Sequence, residues 1–326
     1  MAYMNFRQVG PTVYGEEAKS FGREIQRNLG HEPMEDTLTE IMRSANRDKD
    51  AVATFHAGLA MKKLLLARVY ATGKPPWAND DKDKDDPSQP AQETPWGIDR
   101  IDAEYAWSTA TGAGAKVAVM DTGIDSDHPD LAANIAGGIN YIGKNPVKPA
   151  DPNKWDDDNG HGTHVAGTIA AINNDIGVVG VAPGASLYAV KVLDKNGSGY
   201  VSNLISGLEW CIANDIDVVN MSLSAAVDVP SLHTACDLAE AAGVIIVAAA
   251  GNSGGAVEYP AKYSSVIAVA ATDINDNRAS WSNYGNEIDI AAPGVSVKST
   301  WNDGGYNTIS GTSMATPHVT GTLALN

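Results

Sequence analysis

The spacing of hydrophobic residues divides the chain into regions of different character. In the first 73 residues, apolar positions recur at a helical period in three stretches: 16–29, 35–45 and 51–70. Residues 74–90 (KPPWANDDKDKDDPSQP) combine prolines with an acidic block, a composition typical of a solvated linker. We therefore predict a helical extension over residues 1–73, a linker over 74–90 and a folded domain over 91–326.

In the folded domain, the apolar residues form short, continuous, β-branched runs. Such runs are expected of strands that are buried on both faces, as in a parallel sheet. The predicted strands are Lys116–Met120 (KVAVM), Ser186–Val192, Asp217–Met221, Val244–Ala250 and Ser265–Ala271. Helix-length segments between them, Val201–Asn214 and Pro230–Ala242, make the strands alternate with helices. The expected fold class is α/β, a three-layer sandwich with a mainly parallel central β-sheet flanked by helices.

Composition and charge narrow the possible partners. The chain has 326 residues, 23 of them basic and 40 acidic, for a net charge of −17 that lies almost entirely after Pro90. Nucleic acid is not expected to bind such an acidic surface, whereas divalent cations are. No run of 18 apolar residues occurs, so no membrane span is expected. The two cysteines, Cys211 and Cys236, are expected to be buried free thiols because they lie in apolar, helix-like stretches.

The first residues give an expectation about location. They contain no apolar stretch of the length that a secretory signal needs. The sequence as it stands therefore predicts a cytoplasmic protein, or an extracellular one if the N-terminus is not the natural one. Nothing in the sequence indicates the oligomeric state.

Three glycine-rich segments contain candidate catalytic side chains. Asp121 follows the strand-like run VAVM, His161 and His164 lie in HGTHVAGT, and Ser313 lies in SGTSMATPH before a helix-like stretch. Each residue has an ordinary interpretation, since a strand-end Asp often caps a turn and a Ser often caps a helix. Together they suit nucleophilic catalysis: a serine hydroxyl needs a histidine to take its proton, and the histidine needs a carboxylate to orient it. From the residues alone, either histidine could be the functional one.

The same segments resemble the signature blocks of a known family. DTGIDSDHPDL, HGTHVAGT and GTSMATPH are similar, in the same order, to those of the subtilisin-like serine proteases, and the resemblance covers about residues 91–326, including AQETPWGIDRIDA. It implies a serine endopeptidase with Asp121 as the orienting acid, His161 as the general base, Ser313 as the nucleophile and His164 as a structural residue. The segment AAAGNSGG resembles the family's oxyanion segment and implies that Asn252 donates a hydrogen bond to the oxyanion, together with the Ser313 backbone N–H.

The resemblance also implies how substrate binds. A protein or peptide would lie as an extended strand between two segments of the enzyme. These segments are Gly197, Ser198 and Gly199 on one side, and Ser222, Leu223 and Ser224 on the other. The family usually has glycines after NMSL, whereas this chain has Ser224, Ala225 and Ala226, so we expect narrower subsites.

The pocket for the residue before the scissile bond is expected to have two walls. One consists of Ala249, Ala250 and Gly251, and the other of the segment AVEYPAKY, which carries Glu258 where many relatives have a small residue. Our hypothesis is that the Glu258 carboxylate lies at the base of the pocket and favours Lys or Arg there. The alternative is that Glu258 points to solvent.

A structural calcium ion is the expected cofactor. The resemblance implies a site of six oxygen ligands, which suits this hard cation. The ligands would be side-chain oxygens of Gln92, Asp130 and Asn174, with the carbonyl oxygens of Ile172, Ile176 and Val178. A weaker second site is implied near Ala261, Tyr263, Val266 and Asp289.

Other interpretations remain open at this stage. Residues 1–90 do not resemble the family's inhibitory propeptide, and the chain stops at LALN, so the closing helix is expected to be short. One alternative is a catalytically inactive subtilase-fold binding module, although such a module should have lost triad residues. Another is a transpeptidase or peptide cyclase, although these tend to have an insertion that caps the site. A nucleotide-binding protein is not expected, because no glycine-rich phosphate loop occurs.

Overall fold

A computed structural model describes residues 89–143 and 151–325. The helices are α1 (Trp96–Arg100), α2 (Ala103–Ala106), α3 (His161–Ala170), α4 (Val201–Ala213), α5 (Pro230–Ala241) and α6 (Thr312–Ala324), with a short 3-10 helix at Ala132–Asn134. The strands are β1 (Lys116–Asp121), β2 (Ile135–Asn140), β3 (Ser186–Lys191), β4 (Val218–Met221), β5 (Ile245–Ala249), β6 (Ile267–Thr272), β7 (Ile290–Pro293), β8 (Val297–Trp301) and β9 (Gly305–Ile309). The predicted helical extension, and the linker up to residue 88, lie outside the described residues.

Seven strands form one parallel sheet in the order β2-β3-β1-β4-β5-β6-β7. The chain proceeds from β1 to one edge of the sheet and then returns to β4, on the other side of β1. This reversal leaves a crevice at the carboxyl ends of β1 and β4, which is where open α/β sheets bind ligands. Asp121 is the last residue of β1, and Ser222 directly follows β4.

Helices cover both faces of this sheet. In β1, Ala118 and Met120 belong to the hydrophobic cluster that includes apolar residues of α4 and α5. Val117 and Val119 belong to the cluster that includes apolar residues of α3 and α6. Because successive side chains of a strand point to opposite faces, a strand between two helical layers must be apolar throughout. The α/β class with a mainly parallel central sheet flanked by helices is therefore confirmed.

Four strands were absent from the sequence-based prediction. β2 (IAGGIN) contains two glycines that interrupt its apolar pattern, and the first half of the edge strand β7 is exposed. The strands β8 and β9 form a separate antiparallel hairpin outside the main sheet. The five strands and two helices that the sequence did predict are present, and each end differs from its predicted position by no more than two residues.

The two cysteines are buried and unpaired, as expected. Burial raises the pKa of the Cys211 thiol, and it raises the pKa of Cys236 to about 12. In the part of the chain that the structure describes, no helix is both long and apolar enough to cross a membrane.

Candidate active site

The carboxyl end of β1 brings Asp121 and His161 together. The Asp121 side chain is fully buried, and its Oδ1 accepts hydrogen bonds from the Thr122 N–H at 2.7 Å and from His161 Nδ1 at 2.8 Å. This contact fixes the orientation of the imidazole ring and leaves Nε2 as the nitrogen that can exchange a proton with another group.

The turn before α3 sets the position of His161. Gly160 has a φ of 109°, a left-handed conformation that favours glycine, and a Cβ atom at this position would collide with the indole ring of Trp301. The Asp157 carboxylate accepts hydrogen bonds from the Gly160 N–H at 3.0 Å and from the Thr122 hydroxyl at 2.9 Å. The start of α3 is therefore attached directly to the end of β1.

Two opposing effects determine the pKa of His161. Burial of the ring lowers this pKa, but the charge of Asp121 and its hydrogen bond raise it by more. The pKa therefore lies above the ordinary value for an imidazole. The side chain is 26% exposed, so a substrate can reach it.

His164 has a different environment. Its ring is fully buried, and Nε2 is 3.0 Å from the carbonyl oxygen of Val297 in β8. Burial lowers the pKa of His164 to about 3, so the ring stays neutral near neutral pH. Of the two histidines in HGTHVAGT, His161 is the one that can act on a substrate, and His164 joins α3 to β8.

Ser313 lies in the first turn of α6, which starts at Thr312, so the serine is inside the helix and not before it as the sequence indicated. Its Oγ donates a hydrogen bond to the carbonyl oxygen of Ser222 at 3.0 Å, and Ser222 Oγ donates to the carbonyl oxygen of Ser313 at 2.7 Å. This reciprocal pair holds the start of α6 against the end of β4. In the described part of the chain, the Ser313 hydroxyl makes this contact and no hydrogen bond to His161.

Asn252 follows β5 and contacts the same turn of α6. Its Oδ1 accepts hydrogen bonds from the Thr312 N–H at 2.8 Å and from the Thr312 hydroxyl at 2.9 Å. These two bonds fix the amide so that its Nδ2 group is the end available to donate to another molecule. Asn252 and Ser313 are therefore supported by adjacent contacts.

A cleft of about 570 Å³ runs alongside His161. It is lined by both predicted substrate segments, namely Gly197, Ser198, Gly199, Ser222, Leu223 and Ser224. Tyr259 of the predicted AVEYPAKY wall lines it too, and so do apolar side chains absent from the sequence-based prediction: Val201, Leu204, Val227, Val229 and Leu232. Several of these lie at the starts of α4 and α5, where their helical spacing is indistinguishable from that of core residues.

Glu258, in the predicted AVEYPAKY wall, lies close to Gly251 of the other predicted wall. Its Oε2 accepts a hydrogen bond from the Ser224 hydroxyl at 2.6 Å, which joins the AVEYPAKY segment to the segment after β4. A Cβ atom at Gly251 would lie 2.8 Å from the same carboxylate oxygen, so the Gly251 backbone is close by. Ala249 and Ala250 are buried next to this wall. The Glu258 carboxylate therefore faces the Ser224 hydroxyl and the Gly251 backbone, and it does not line the cleft beside His161.

The predicted calcium ligands with functional side chains lie close together. The buried Asp130 carboxylate accepts hydrogen bonds from Asn174 Nδ2 at 3.0 Å and from the Val178 N–H at 2.9 Å. Gln92 Oε1 accepts a hydrogen bond from the Asn174 N–H at 2.6 Å. The loop that carries Ile172 and Ile176 is bonded to this cluster, because the Ile172 N–H donates to the carbonyl of Asp130 and the Ile176 N–H to Asn174 Oδ1.

The residues of the weaker predicted site are less clearly grouped. Val266 and Asp289 line one shallow surface pocket, but Ala261 and Tyr263 do not line it. Asp289 Oδ2 accepts a hydrogen bond from the Ala268 N–H at 2.8 Å. Within residues 89–143 and 151–325, no three His, Cys, Asp or Glu side chains are grouped so that they could hold a metal ion.

Comparison with known proteins places this site in context. Residues 112–326 match the model of the subtilase family. The chain is 52% identical over 241 residues to subtilisin NAT of Bacillus subtilis subsp. natto, an alignment that covers 72% of this chain and 61% of that protein. It is 54% identical over 237 residues to subtilisin Savinase of Lederbergia lenta (72% and 84% covered) and to a thermostable alkaline protease of Halalkalibacterium halodurans (72% and 63% covered).

Proposed function

The chain belongs to the subtilase family, and from this premise we propose that it is a serine endopeptidase that hydrolyses peptide bonds through an acyl-enzyme. The observation that carries the proposal is the 2.8 Å hydrogen bond between the buried Asp121 carboxylate and His161 Nδ1. This bond gives His161 the orientation and the proton affinity that a general base needs.

In the proposed first step, Ser313 Oγ attacks the carbonyl carbon of the scissile peptide bond. The hydroxyl proton passes to His161 Nε2, and Asp121 stabilises the imidazolium that forms. The negative charge on the former carbonyl oxygen is stabilised by two donors, Asn252 Nδ2 and the Ser313 N–H. The hydrogen bonds from Thr312 to Asn252 Oδ1 support this role, because they orient the amide before the substrate arrives.

In the second step, the C–N bond breaks and His161 gives its proton to the leaving amine. Water then attacks the acyl-enzyme, with His161 accepting one of its protons, and Ser313 is regenerated. Because His161 must be neutral to act as a base, activity is lost as the pH falls through the raised pKa of His161. The expected optimum is therefore neutral to alkaline.

The substrate class follows from the cleft. An extended peptide would bind between residues 197–199 and 222–224, which both line the cleft. The apolar lining formed by Leu204, Val229 and Leu232 favours a hydrophobic side chain upstream of the scissile bond. We therefore expect the substrate to be an unfolded protein segment or a peptide.

Glu258 is proposed to select a basic residue immediately before the scissile bond. Its carboxylate is held by Ser224 and lies close to the Gly251 backbone, and no lysine or arginine of the described residues forms an ion pair with it. A substrate Lys or Arg would supply the missing positive charge. A large aromatic side chain would have to displace the Ser224–Glu258 pair.

Calcium is proposed as a structural cofactor at Gln92, Asp130 and Asn174. The buried Asp130 carboxylate has no lysine or arginine partner among the described residues, and a bound cation would offset its charge. The Asn174 amide must turn for its oxygen to become a ligand, because Nδ2 now faces Asp130. If calcium binds, chelation should lower the melting temperature by several degrees, and added calcium should restore it. A melting temperature that is the same with chelator and with calcium would contradict the calcium proposal alone.

The activity is tested by incubating the full chain with a peptide substrate and identifying the products by mass spectrometry. We expect cleavage products with one added water for the wild type and for Ser310→Ala, and none for Ser313→Ala. Ser310 is a matched control, because its exposed hydroxyl accepts a hydrogen bond only from the Ser296 N–H among the described contacts. A folded but inactive wild type would favour the binding-module alternative, and joined peptides without hydrolysis would favour a transpeptidase.

A further inference from the structure

Asn283 is a fully buried amide in the loop between β6 and β7, and it does not line the cleft. Its Oδ1 accepts three hydrogen bonds, from the Ser253 N–H and hydroxyl, both at 2.9 Å, and from the Gly255 N–H at 3.0 Å. Its Nδ2 donates to the carbonyl oxygen of Ala250 at 3.1 Å, and its backbone N–H donates to the carbonyl oxygen of Gly251 at 3.0 Å. One residue therefore uses both ends of its side chain and its backbone on a single neighbouring segment.

These contacts lie on both sides of Asn252. Ala250 and Gly251 precede it, and Ser253 and Gly255 follow it. Gly251 has a φ of 104°, and a Cβ atom there would collide with the Asn283 amide, so the two segments are in close contact. The backbone that carries Asn252 cannot shift without breaking several of these hydrogen bonds.

The chemistry of Asn283 is specific to a short amide. A side chain at this position must donate one hydrogen bond to the Ala250 carbonyl and accept three from N–H and O–H groups. The planar amide of asparagine has its donor and its acceptor on opposite sides and meets both needs. Aspartate would keep the acceptor but place a second oxygen against the Ala250 carbonyl. Alanine would leave all four groups without this partner, at a site that water does not reach freely.

We propose that Asn283 is a positioning residue that holds residues 250–255 and thereby aims the Asn252 amide at the oxyanion. This inference rests on the proposed function. Asn283 does not touch the substrate, and its effect on the reaction passes through Asn252. A displacement of about 1 Å in such a donor is enough to reduce the rate of catalysis about a hundredfold.

A double-mutant cycle tests this role. Asn283→Ala and Asn283→Asp are made in the wild type and in Asn252→Ala, and kcat, KM and the melting temperature are measured for each. In the wild-type background we expect kcat to fall by about 10- to 100-fold. In the Asn252→Ala background we expect a further fall of less than about threefold, because the donor that Asn283 positions is already gone. The melting temperature should fall by a similar amount in both backgrounds.

Asn140→Ala is the matched control, because Asn140 is another buried amide with one donor and one acceptor contact, to the Asp151 carbonyl and the Ile142 N–H, in and beside β2. We expect it to lower the melting temperature and to leave kcat unchanged. If neither Asn283 variant folds, the same cycle is run with Ser253→Ala, which removes only the hydroxyl contact and should lower kcat about two- to fivefold in the wild-type background alone.

The outcomes separate the two claims. An equal loss of kcat in both backgrounds, or no loss in the wild-type background, would overturn the role of Asn283 while leaving the protease activity intact. An inactive wild type would instead overturn the proposed function. Loss of kcat that disappears in the Asn252→Ala background would support the positioning role, since general destabilisation would act in both.

Discussion

Two regions of the candidate active site are built in different ways. Around Ser313 and Asn252, two buried residues hold the more exposed ones by hydrogen bonds: Thr312 donates twice to Asn252, and Ser222 and Ser313 donate to each other. At the wall formed by Ser224 and Glu258, the exposed Ser224 hydroxyl donates a hydrogen bond to the half-buried Glu258 carboxylate. We call the first, together with the hydrogen-bonded pair Asp121 and His161, the reaction region and the second the selection region.

The free-energy cost of losing a hydrogen-bond partner differs between the two regions. In the reaction region, removal of one partner leaves buried donors or acceptors unsatisfied, at a cost of about 1–3 kcal/mol each. In the selection region, water can replace a lost partner. Changes in the reaction region should therefore alter stability and rate together, whereas changes in the selection region should alter substrate preference alone. Such an arrangement lets specificity vary while the chemistry stays fixed.

The largest expected effect is in the reaction region and comes from Asp121→Asn. This variant should lower kcat about 10⁴-fold, as measured when the orienting carboxylate of another serine protease is replaced. It also removes the two larger of the three effects that raise the pKa of His161, and leaves burial, which lowers this pKa, opposed only by the charge of Asp157. Since His161 acts when neutral, the acid limb of the kcat/KM profile should move to lower pH.

The control for this variant is Asp156→Asn, which changes an exposed carboxylate that accepts a hydrogen bond from the Ser126 N–H. It should leave both the rate and the acid limb unchanged. An acid limb that stays in place in the residual activity of Asp121→Asn would show that His161 is not the group that titrates.

A smaller effect is expected from Glu258→Gln in the selection region. The kcat/KM for a substrate with Lys before the scissile bond, relative to one with Phe, should fall by about 10- to 100-fold, because a hydrogen bond to a charged group contributes about 1.5–3 kcal/mol. The melting temperature should change little. Glu287→Gln is the control, since Glu287 pairs with Lys262 and should leave the ratio unchanged. A strong preference of the wild type for Phe would contradict the role of Glu258.

The smallest effect is expected from Ser224→Ala. Without the hydroxyl, the Glu258 carboxylate keeps its charge but loses the contact that holds it between the walls. The Lys-to-Phe ratio of kcat/KM should therefore fall by only about two- to fivefold. A loss as large as that of Glu258→Gln would mean that the Ser224 hydroxyl itself contacts the Lys side chain of the substrate. A large loss of stability would contradict the difference drawn between the two regions.

The sequence predicted the reaction region better than the selection region. Asp121, His161 and Ser313 lie in short glycine-rich motifs whose residue types suffice to suggest their chemistry. The contact between Ser224 and Glu258 joins residues 34 positions apart and depends on the path of the chain around β5, which no local pattern encodes. Asn283, in the segment WSNYG, is indistinguishable from a turn residue until the structure brings it against residues 250–255.

Fold prediction followed the same division. Strands buried on both faces, such as β1 and β4, were predicted because burial requires continuous apolar residues. The strand β2 was not predicted, because its two glycines interrupt the run of apolar residues. The strand β7 was not predicted either, because its first half is exposed. The cleft lining at the starts of α4 and α5 was missed because an apolar side chain in a pocket has the same sequence pattern as one in the core.

The most direct test of the central claim is labelling by a fluorophosphonate, which reacts only with an activated serine. The full chain is treated in the presence of calcium and its intact mass is measured, with Ser313→Ala and Ser310→Ala alongside. The account predicts a single adduct on the wild type and on Ser310→Ala, and none on Ser313→Ala. No adduct on a wild-type protein that circular dichroism shows to be folded, or equal labelling of Ser313→Ala, would contradict it.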